Sequence, residues 1–400
     1  MTFSVSPRSI EPGRDLALYI HVPFCTVRCG YCDFNTYTRG FGAGADLDSY
    51  HQSVLAEIDL AARTLAPFEH RPVCSIFFGG GTPSLLDSSH LQVILDYVAT
   101  RIPVAADAEI TLEANPDTVD AQRFDRIAAA GVNRISMGMQ SGVKHVLDTL
   151  DRTHDPDRIP SLVQAGQQAS LDVSLDLIYG TPGESLEDWQ CSIETALAAQ
   201  PDHISTYALV IEPGTKMGRL VRKGDLPQPD PDDEAAKYEI ADRMLSANGY
   251  AWYEISNWAK LEPGETRGQT DLTHASVHNL AYWKNADWWG VGPGAHSHLG
   301  TTRWWNRKHP RAWADSLAAG EPAAGSEELT AEDELLERVM LNIRTADGLA
   351  LTEIPRPLRG RVQELVGDGL VDPAQVENGR AVLTLRGRLL ADYVTRVLTP

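Results

Sequence analysis

The sequence predicts an α/β fold in which a parallel sheet linked by helices is followed by a mixed connecting region and a small winged-helix-like end. Three observations carry this. Six short apolar, β-branched-rich runs alternate with helix-period segments through the first half. After about residue 213 the alternation stops at a stretch rich in Pro, Gly and charge, and the end of the chain reads helix, hairpin, helix. The implied units are 1–213, 214–325 and 326–400, in line with about 150 residues per domain.

The strand candidates in order are LALYIHV (16–22), CSIFF (74–78), EITLE (109–113), NRISMGMQ (133–140), DVSLDLIY (172–179) and HISTYALV (203–210). Between them, LDSYHQSVLAEIDLAARTL, SSHLQVILDYVATRI, TVDAQRFDRIAAAG and SLEDWQCSIETALAAQ carry the helical period. Near-continuous apolar strands joined by helices argue for a parallel sheet with right-handed crossovers. A partial barrel and an open doubly wound sheet both fit the pattern. In either, chemistry belongs at the carboxyl ends of the strands, and the unusual residues fall there. Cys25, Cys29 and Cys32 follow the first strand, GGGTP the second; Glu113 ends the third, Gln140 the fourth, and Asp176 sits in the fifth before YGTPG.

EPGTKMGRLVRKGDLPQPDPDDE marks a connection. A helix over 232–247 follows, then a Trp- and His-rich stretch (252–313) of weak periodicity and a link at 319–326. Thr330-Ala-Glu-Asp333 is an N-cap with an N3 acid, opening the helix AEDELLERVMLNIR. The last segment, PLRGRVQELVGDGLV to LTLRGRLLADYVTRVL, predicts a hairpin turning at Asn378-Gly379 between helices. A packing or lid module explains this outline better than a DNA-binding one.

Composition narrows the function. A hydrophobic fraction of 42% and a charged fraction of 22% are those of a globular chain. Lys+Arg 35 against Asp+Glu 55 leaves a net charge of -20, which disfavours a nucleic-acid partner. MTFSVSPRSIEPGRD shows no apolar leader, and no run approaches the roughly 20 apolar residues of a membrane span, so the expected location is the cytoplasm.

Five cysteines are too few, and odd in number, for a disulfide framework. Cys25-x3-Cys29-x2-Cys32 puts three thiols on one loop, whereas Cys74 and Cys191 fall in a strand and a helix as inert thiols do. Structural zinc wants four protein ligands. A 4Fe-4S cluster held by three thiolates leaves one iron open to a ligand.

The stretch YIHVPFCTVRCGYC resembles the signature of the radical S-adenosylmethionine (SAM) superfamily, and FFGGGTPSLL resembles its glycine motif. The resemblance implies a partial (β/α)6 radical SAM barrel, a 4Fe-4S cluster on Cys25, Cys29 and Cys32, and SAM at the open iron. SMGMQS, DRTH, DLIYGTPGES, STYALVIEPGT and LTLRGRLLADYV resemble segments of the oxygen-independent coproporphyrinogen III oxidase group, over nearly the whole chain. Carried over by position, Tyr19, Gly80 and Glu113 would contact the cluster-bound SAM, and Tyr31, Gly81, Thr82, Gln140, Arg152 and Asp176 a second SAM.

Three departures point away from the oxidases: Phe34 stands where they carry a fourth cysteine, the cysteine motif begins only 24 residues in, and residues 278–283 read HNLAYW. That last string matches the HNxxYW signature of the group's haem-chaperone branch. The branch implies a protein that binds haem and hands it to an acceptor such as a membrane-bound respiratory enzyme. Radical decarboxylation of coproporphyrinogen III to protoporphyrinogen IX is the enzymatic alternative. Neutral imidazole is a good axial ligand for haem iron, so His278 ranks first, ahead of His274, His296 and His298. Tyr282 and Trp283 offer flat faces, and Asn279 could orient the imidazole or a propionate. Arg303, Arg307 and Lys308 are further propionate candidates. Asp151, before Arg152, replaces a Gly common in the family.

Overall fold

The six apolar runs become adjacent parallel strands: β1 (Leu16–Val22), β2 (Val73–Gly80), β3 (Val104–Ala114), β4 (Arg134–Gln140), β5 (Asp172–Tyr179) and β6 (His203–Ala208). The computed structural model describes residues 7, 10, 13–68 and 72–400; MTFSVSPRSIEPGRD, where no apolar leader is read, lies largely outside them. Among the described residues no helix is long and apolar enough to cross a membrane.

Successive strand residues point to opposite faces, and the sequence uses this. In β4, Ile135, Met137 and Met139 join the core, while Ser136, Gly138 and Gln140 line a cavity. In β5, Val173, Leu175 and Leu177 do the same, opposite Ser174, Asp176 and Ile178. The apolar face packs on Phe124, Ile127, Leu162, Trp189 and Ile193 from the crossover helices Ala121–Ala129, Ile159–Gln168 and Leu186–Ala199. The inner face is therefore polar and partly open, as a binding surface must be.

The stretch 214–325 is more than a connection. It supplies β7 (Tyr250–Glu254) and β8 (Asn257–Lys260) beside β6, and β9 (Asp287–Val291), β10 (His296–Leu299), β11 (Thr302–Asn306) and β12 (Ala323–Glu328) beyond β1. All belong to one 12-stranded sheet, ordered β12-β11-β10-β9-β1-β2-β3-β4-β5-β6-β8-β7. Its end strands β12 and β7 do not pair, so the barrel stays partial. The physical reason this escaped a pattern reading is non-locality. β9 is 5 residues long and pairs in parallel with β1, Leu16 opposite Asp287.

The C-terminal module adds β13 (Leu349–Ala350) and β14 (Arg380–Ala381), which pair antiparallel, and a separate core that includes Val339, Ile343, Val362, Leu365, Val394 and Leu398. The Thr330–Asp333 capping box forms as read. The Asn378-Gly379 hairpin does not. Asn378 ends the helix Pro373–Glu377 with φ -83, and only Gly379 is left-handed, at φ 81. A two-residue type I′ turn needs positive φ at both positions.

Arg388 ties this module to the barrel. Its Nη1 donates to Asp242 Oδ1 at 2.9 Å, and its guanidinium lies 4.3 Å from the Trp252 ring centroid. Arg388→Ala leaves the mostly buried Asp242 carboxylate without its cation, and is expected to cost about 1–3 kcal/mol in urea unfolding. An unchanged midpoint would mean the module is held by other contacts.

Candidate functional site

The cysteine loop leaves β1 and is closed by its own backbone: Cys25 N–H donates to Tyr37 O at 3.0 Å, and Tyr37 N–H to Pro23 O at 2.7 Å. Cys25, Cys29 and Cys32, all free and half-buried, line a cavity of about 700 Å³ at the carboxyl ends of the parallel strands. Cys74 and Cys191 do not. Phe34 lines the cavity mouth at 58% exposure. Burial pushes the Cys25 and Cys32 thiols up, so an empty loop holds them protonated.

The donor set suits a cluster better than one ion. Two thiolates on a single zinc, at Zn–S of about 2.3 Å, sit about 3.8 Å apart. Among the described residues, Asp172, Asp202 and His274 are the trio of potential ligands with atoms all within 4.8 Å; the three cysteine Sγ atoms do not all lie that close to one another. That trio is an internal network: His274 Nδ1 bonds Asp172 at 2.7 Å, Arg134 donates to Asp172 at 2.9 Å, and Asp202 accepts from Val173 N–H at 2.9 Å.

The glycine turn follows β2 and lies against the cysteine loop. Gly81 N–H donates to Val22 O and Thr82 N–H to Phe24 O, at 2.8 and 2.7 Å. A Cβ on Gly81 would meet Phe24 O at 2.6 Å and Val22 O at 2.8 Å. Gly81→Ala must therefore shift backbone beside Cys25, and a loss of about 1–3 kcal/mol is expected in thermal or urea unfolding; wild-type stability would show that the turn has slack. Gly80, at φ 110, directs its N–H to Glu113 Oε2 at 2.9 Å. Burial, with Asp176 adding, pushes the Glu113 carboxyl up to about 7.

The remaining SAM candidates all line the same cavity: Tyr19, Tyr31, Thr82, Gln140, Arg152 and Asp176. Gln140 is held left-handed, at φ 62. A Cβ on Gly138 would meet its Nε2 at 2.5 Å, so a side chain there would have to displace the Gln140 amide. Asp176 accepts from Ser136 Oγ at 2.7 Å and Ser205 Oγ at 2.8 Å. Arg152 Nη2 donates to Gly138 O and Asn115 Oδ1, both at 2.8 Å, and Nη1 lies 3.7 Å from Cys29 Sγ. The Asp151 departure is thereby explained: the position is left-handed, φ 55, which Asp tolerates better than most residues. Its carboxylate is paired with Lys216 at 2.8 Å.

HNLAYW is a helix, Val277–Trp283, capped by Ser276 and by Glu109, which accepts the Val277 and His278 N–H groups at 3.0 Å. His278, Asn279 and Tyr282 line the cavity; Trp283 does not. The Trp283 indole lies toward Glu254, and its carbonyl accepts from Asn342 at 2.7 Å. His278 is buried at 2% exposure, with Nδ1 on Ser75 Oγ at 2.9 Å and Nε2 on Tyr282 Oη at 3.0 Å. Its ring stacks on Phe77 with centroids 4.9 Å apart, and burial drops its pKa to about 3. The expected iron ligand is thus neutral but engaged on both nitrogens.

Pattern reading missed Asn115, Ser136 and Ser205, which orient Arg152 and Asp176. The signal for Ser136 was present, since it is an inward position of a strand whose alternate residues, Ile135, Met137 and Met139, are apolar.

A three-cysteine loop on a partial barrel of this kind defines a radical SAM protein, and the Radical SAM superfamily pattern matches residues 19–196. The heme chaperone HemW of Mycobacterium tuberculosis (strain ATCC 25618 / H37Rv) is 46% identical over 390 residues, 97% of this chain and 95% of that protein. HemW of Bacillus subtilis (strain 168) is 34% identical over 385 residues, 94% and 97% of the two chains. The chain belongs to the HemW family. The solved structure of coproporphyrinogen III oxidase (HemN) from Escherichia coli superposes with a TM-score of 0.79 at 24% identity, covering 98% of this chain and 91% of that one, and shares the fold.

Proposed function

We propose that this chain is a cytoplasmic haem chaperone, taking up haem beside a 4Fe-4S cluster with exchangeable SAM and passing it to an acceptor such as a membrane-bound respiratory enzyme. One observation carries the reading: a single cavity is lined by the cysteine loop, the glycine turn, Glu113 and the HNLAYW helix. Cys25, Cys29 and Cys32 would hold the cluster, which when bound leaves one iron for SAM's amino and carboxylate groups. Tyr19, Gly80 and Glu113 would face that SAM; Tyr31, Gly81, Thr82, Gln140, Arg152 and Asp176 line the space open to a second.

The chain's own groups set the electrostatics. Arg152 brings a fixed positive charge within 3.7 Å of Cys29 Sγ, where the anionic thiolates of a bound cluster would lie. Asn279 and Tyr282 give the porphyrin a polar group and a flat face on the same wall.

Titrating the anaerobically reconstituted protein with haem is expected to give a shifted Soret band that saturates at one haem per chain. No shift at any ratio would remove the haem role. Incubation with SAM, dithionite and coproporphyrinogen III is expected to give no vinyl product; its formation would transfer the chain to the oxidase reading.

A further inference from the structure

We infer that His296 and Lys308 anchor the haem, the imidazole binding the iron and the ammonium a propionate, in a second cavity that adjoins the first. This rests on the haem reading above. The second cavity, of about 450 Å³, shares Tyr19, Phe34, Gly80, Glu113 and Tyr282 with the first. Its other side is formed by the turn between β9 and β10 and by Lys308.

The cysteine loop fixes that side in place. Asn35 Nδ2 donates to Pro293 O at 2.9 Å and to Lys308 O at 2.8 Å, and Asn35 O meets His21 Nε2 at 2.9 Å. A Cβ on Gly294, itself at φ 76, would lie 2.8 Å from Asn35 Nδ2, so the close approach requires glycine. His296 and Lys308 are thus set beside the cysteine loop by backbone contacts rather than by their own side chains.

Five histidines lie between residues 252 and 313, and four of them are placed elsewhere; His309 packs edge-on against Tyr37 and Phe41 and lines neither cavity. His278 bonds Ser75 and Tyr282. His274 is clamped between Asp172 and Glu262; burial opposes its charge, yet those bonds raise it to about 9, leaving no free lone pair near neutrality. His298 also has no hydrogen-bond partner on its ring, but it is buried at 4% exposure, edge-on to Trp288, and lines neither cavity. His296 is exposed, lines the cavity and stacks on Trp305 with centroids 5.9 Å apart at 27°; among the described residues its ring nitrogens have no hydrogen-bond partner. Burial and then Lys308 lower its pKa, which keeps the ring in the neutral, iron-binding form.

The propionate partner follows the same logic. Arg303 is spent on Glu327 and Glu337, whereas Lys308 is exposed and has no ion pair among the described residues. Between the two groups, Trp288 and Tyr282 present ring surface, their planes at 88° with centroids 4.9 Å apart.

The test is haem titration of the full-length wild type, His296→Ala, Lys308→Gln and His278→Ala, followed by absorption and electron paramagnetic resonance. His296→Ala is expected to lose the imidazole-ligated spectrum and weaken binding by about tenfold or more, about 1.4 kcal/mol, with added imidazole restoring the spectrum. Lys308→Gln should weaken binding without altering the ligand signature. His296 is exposed, so its variant tests ligation without a folding defect. If wild type binds haem and His296→Ala keeps the same spectrum and affinity, the inference is overturned while the haem reading stands, and loss of the signature in His278→Ala alone would move the ligand there. If wild type binds no haem, both fail.

Discussion

Single replacement of Cys25, Cys29 or Cys32 by Ala is expected to take the chain from about four iron and four sulfide per molecule to near none, and to abolish its brown anaerobic absorption. The three thiols share one loop and one cavity, and no other cysteine reaches it. With one ligand gone, only two thiolates would remain to hold the cluster. Cys74→Ala and Cys191→Ala are expected to retain full iron and sulfide, since these thiols lie outside the cavity. Iron retained in any one of the three loop variants would mean that another donor completes the set. Zinc without sulfide in the wild type would mean that the spacing serves an ion, against the separation of the thiols.

Legibility in the sequence followed the range of the interaction that forms each feature. β1 to β6 were readable because each pairs with its neighbour in the chain order and carries enough apolar residues to show a pattern. The cysteine loop and the glycine turn were readable because their chemistry is packed into a few consecutive residues. β9 to β12 were not: they are short, and β9 finds its partner at the opposite end of the chain. The HNLAYW helix, at 7 residues, is too short to show a helical period, so which of its side chains share a face was hidden. This is why Trp283 was grouped with His278, Asn279 and Tyr282 although it turns to Glu254. Asn378-Gly379 misled for a related reason. The dipeptide favours a hairpin only if both residues take positive φ, and a helix leading into Asn378 removes that freedom. Asp151 shows the reverse case, a departure from a glycine pattern that left the site intact because its left-handed backbone is secured by Lys216.

SAM affinity is expected to fall by up to about tenfold between pH 8 and pH 6 in the wild type, and to be weak and flat with pH in Glu113→Gln. The reason is the position of Glu113. Its carboxyl is buried where β3 ends, accepts the Gly80 N–H at 2.9 Å, and is raised to about 7 chiefly by desolvation and then by Asp176. SAM brings a sulfonium cation, so it binds best to the ionised form. With a midpoint of about 7, roughly a tenth of the chains carry that charge at pH 6 and roughly nine-tenths at pH 8, which sets the tenfold limit. Stability without ligand runs the other way. A folded pKa above the ordinary carboxyl value means the native state holds its proton longer than the unfolded chain, so stability falls as pH rises through about 7. Glu113→Gln escapes that loss and is expected to be the more stable of the two at pH 8 while binding SAM less tightly. Isothermal titration at both pH values, with urea unfolding of the same samples, separates the terms. A variant that matches wild type in affinity at pH 8 would take Glu113 out of the SAM site, even if its stability rose as expected.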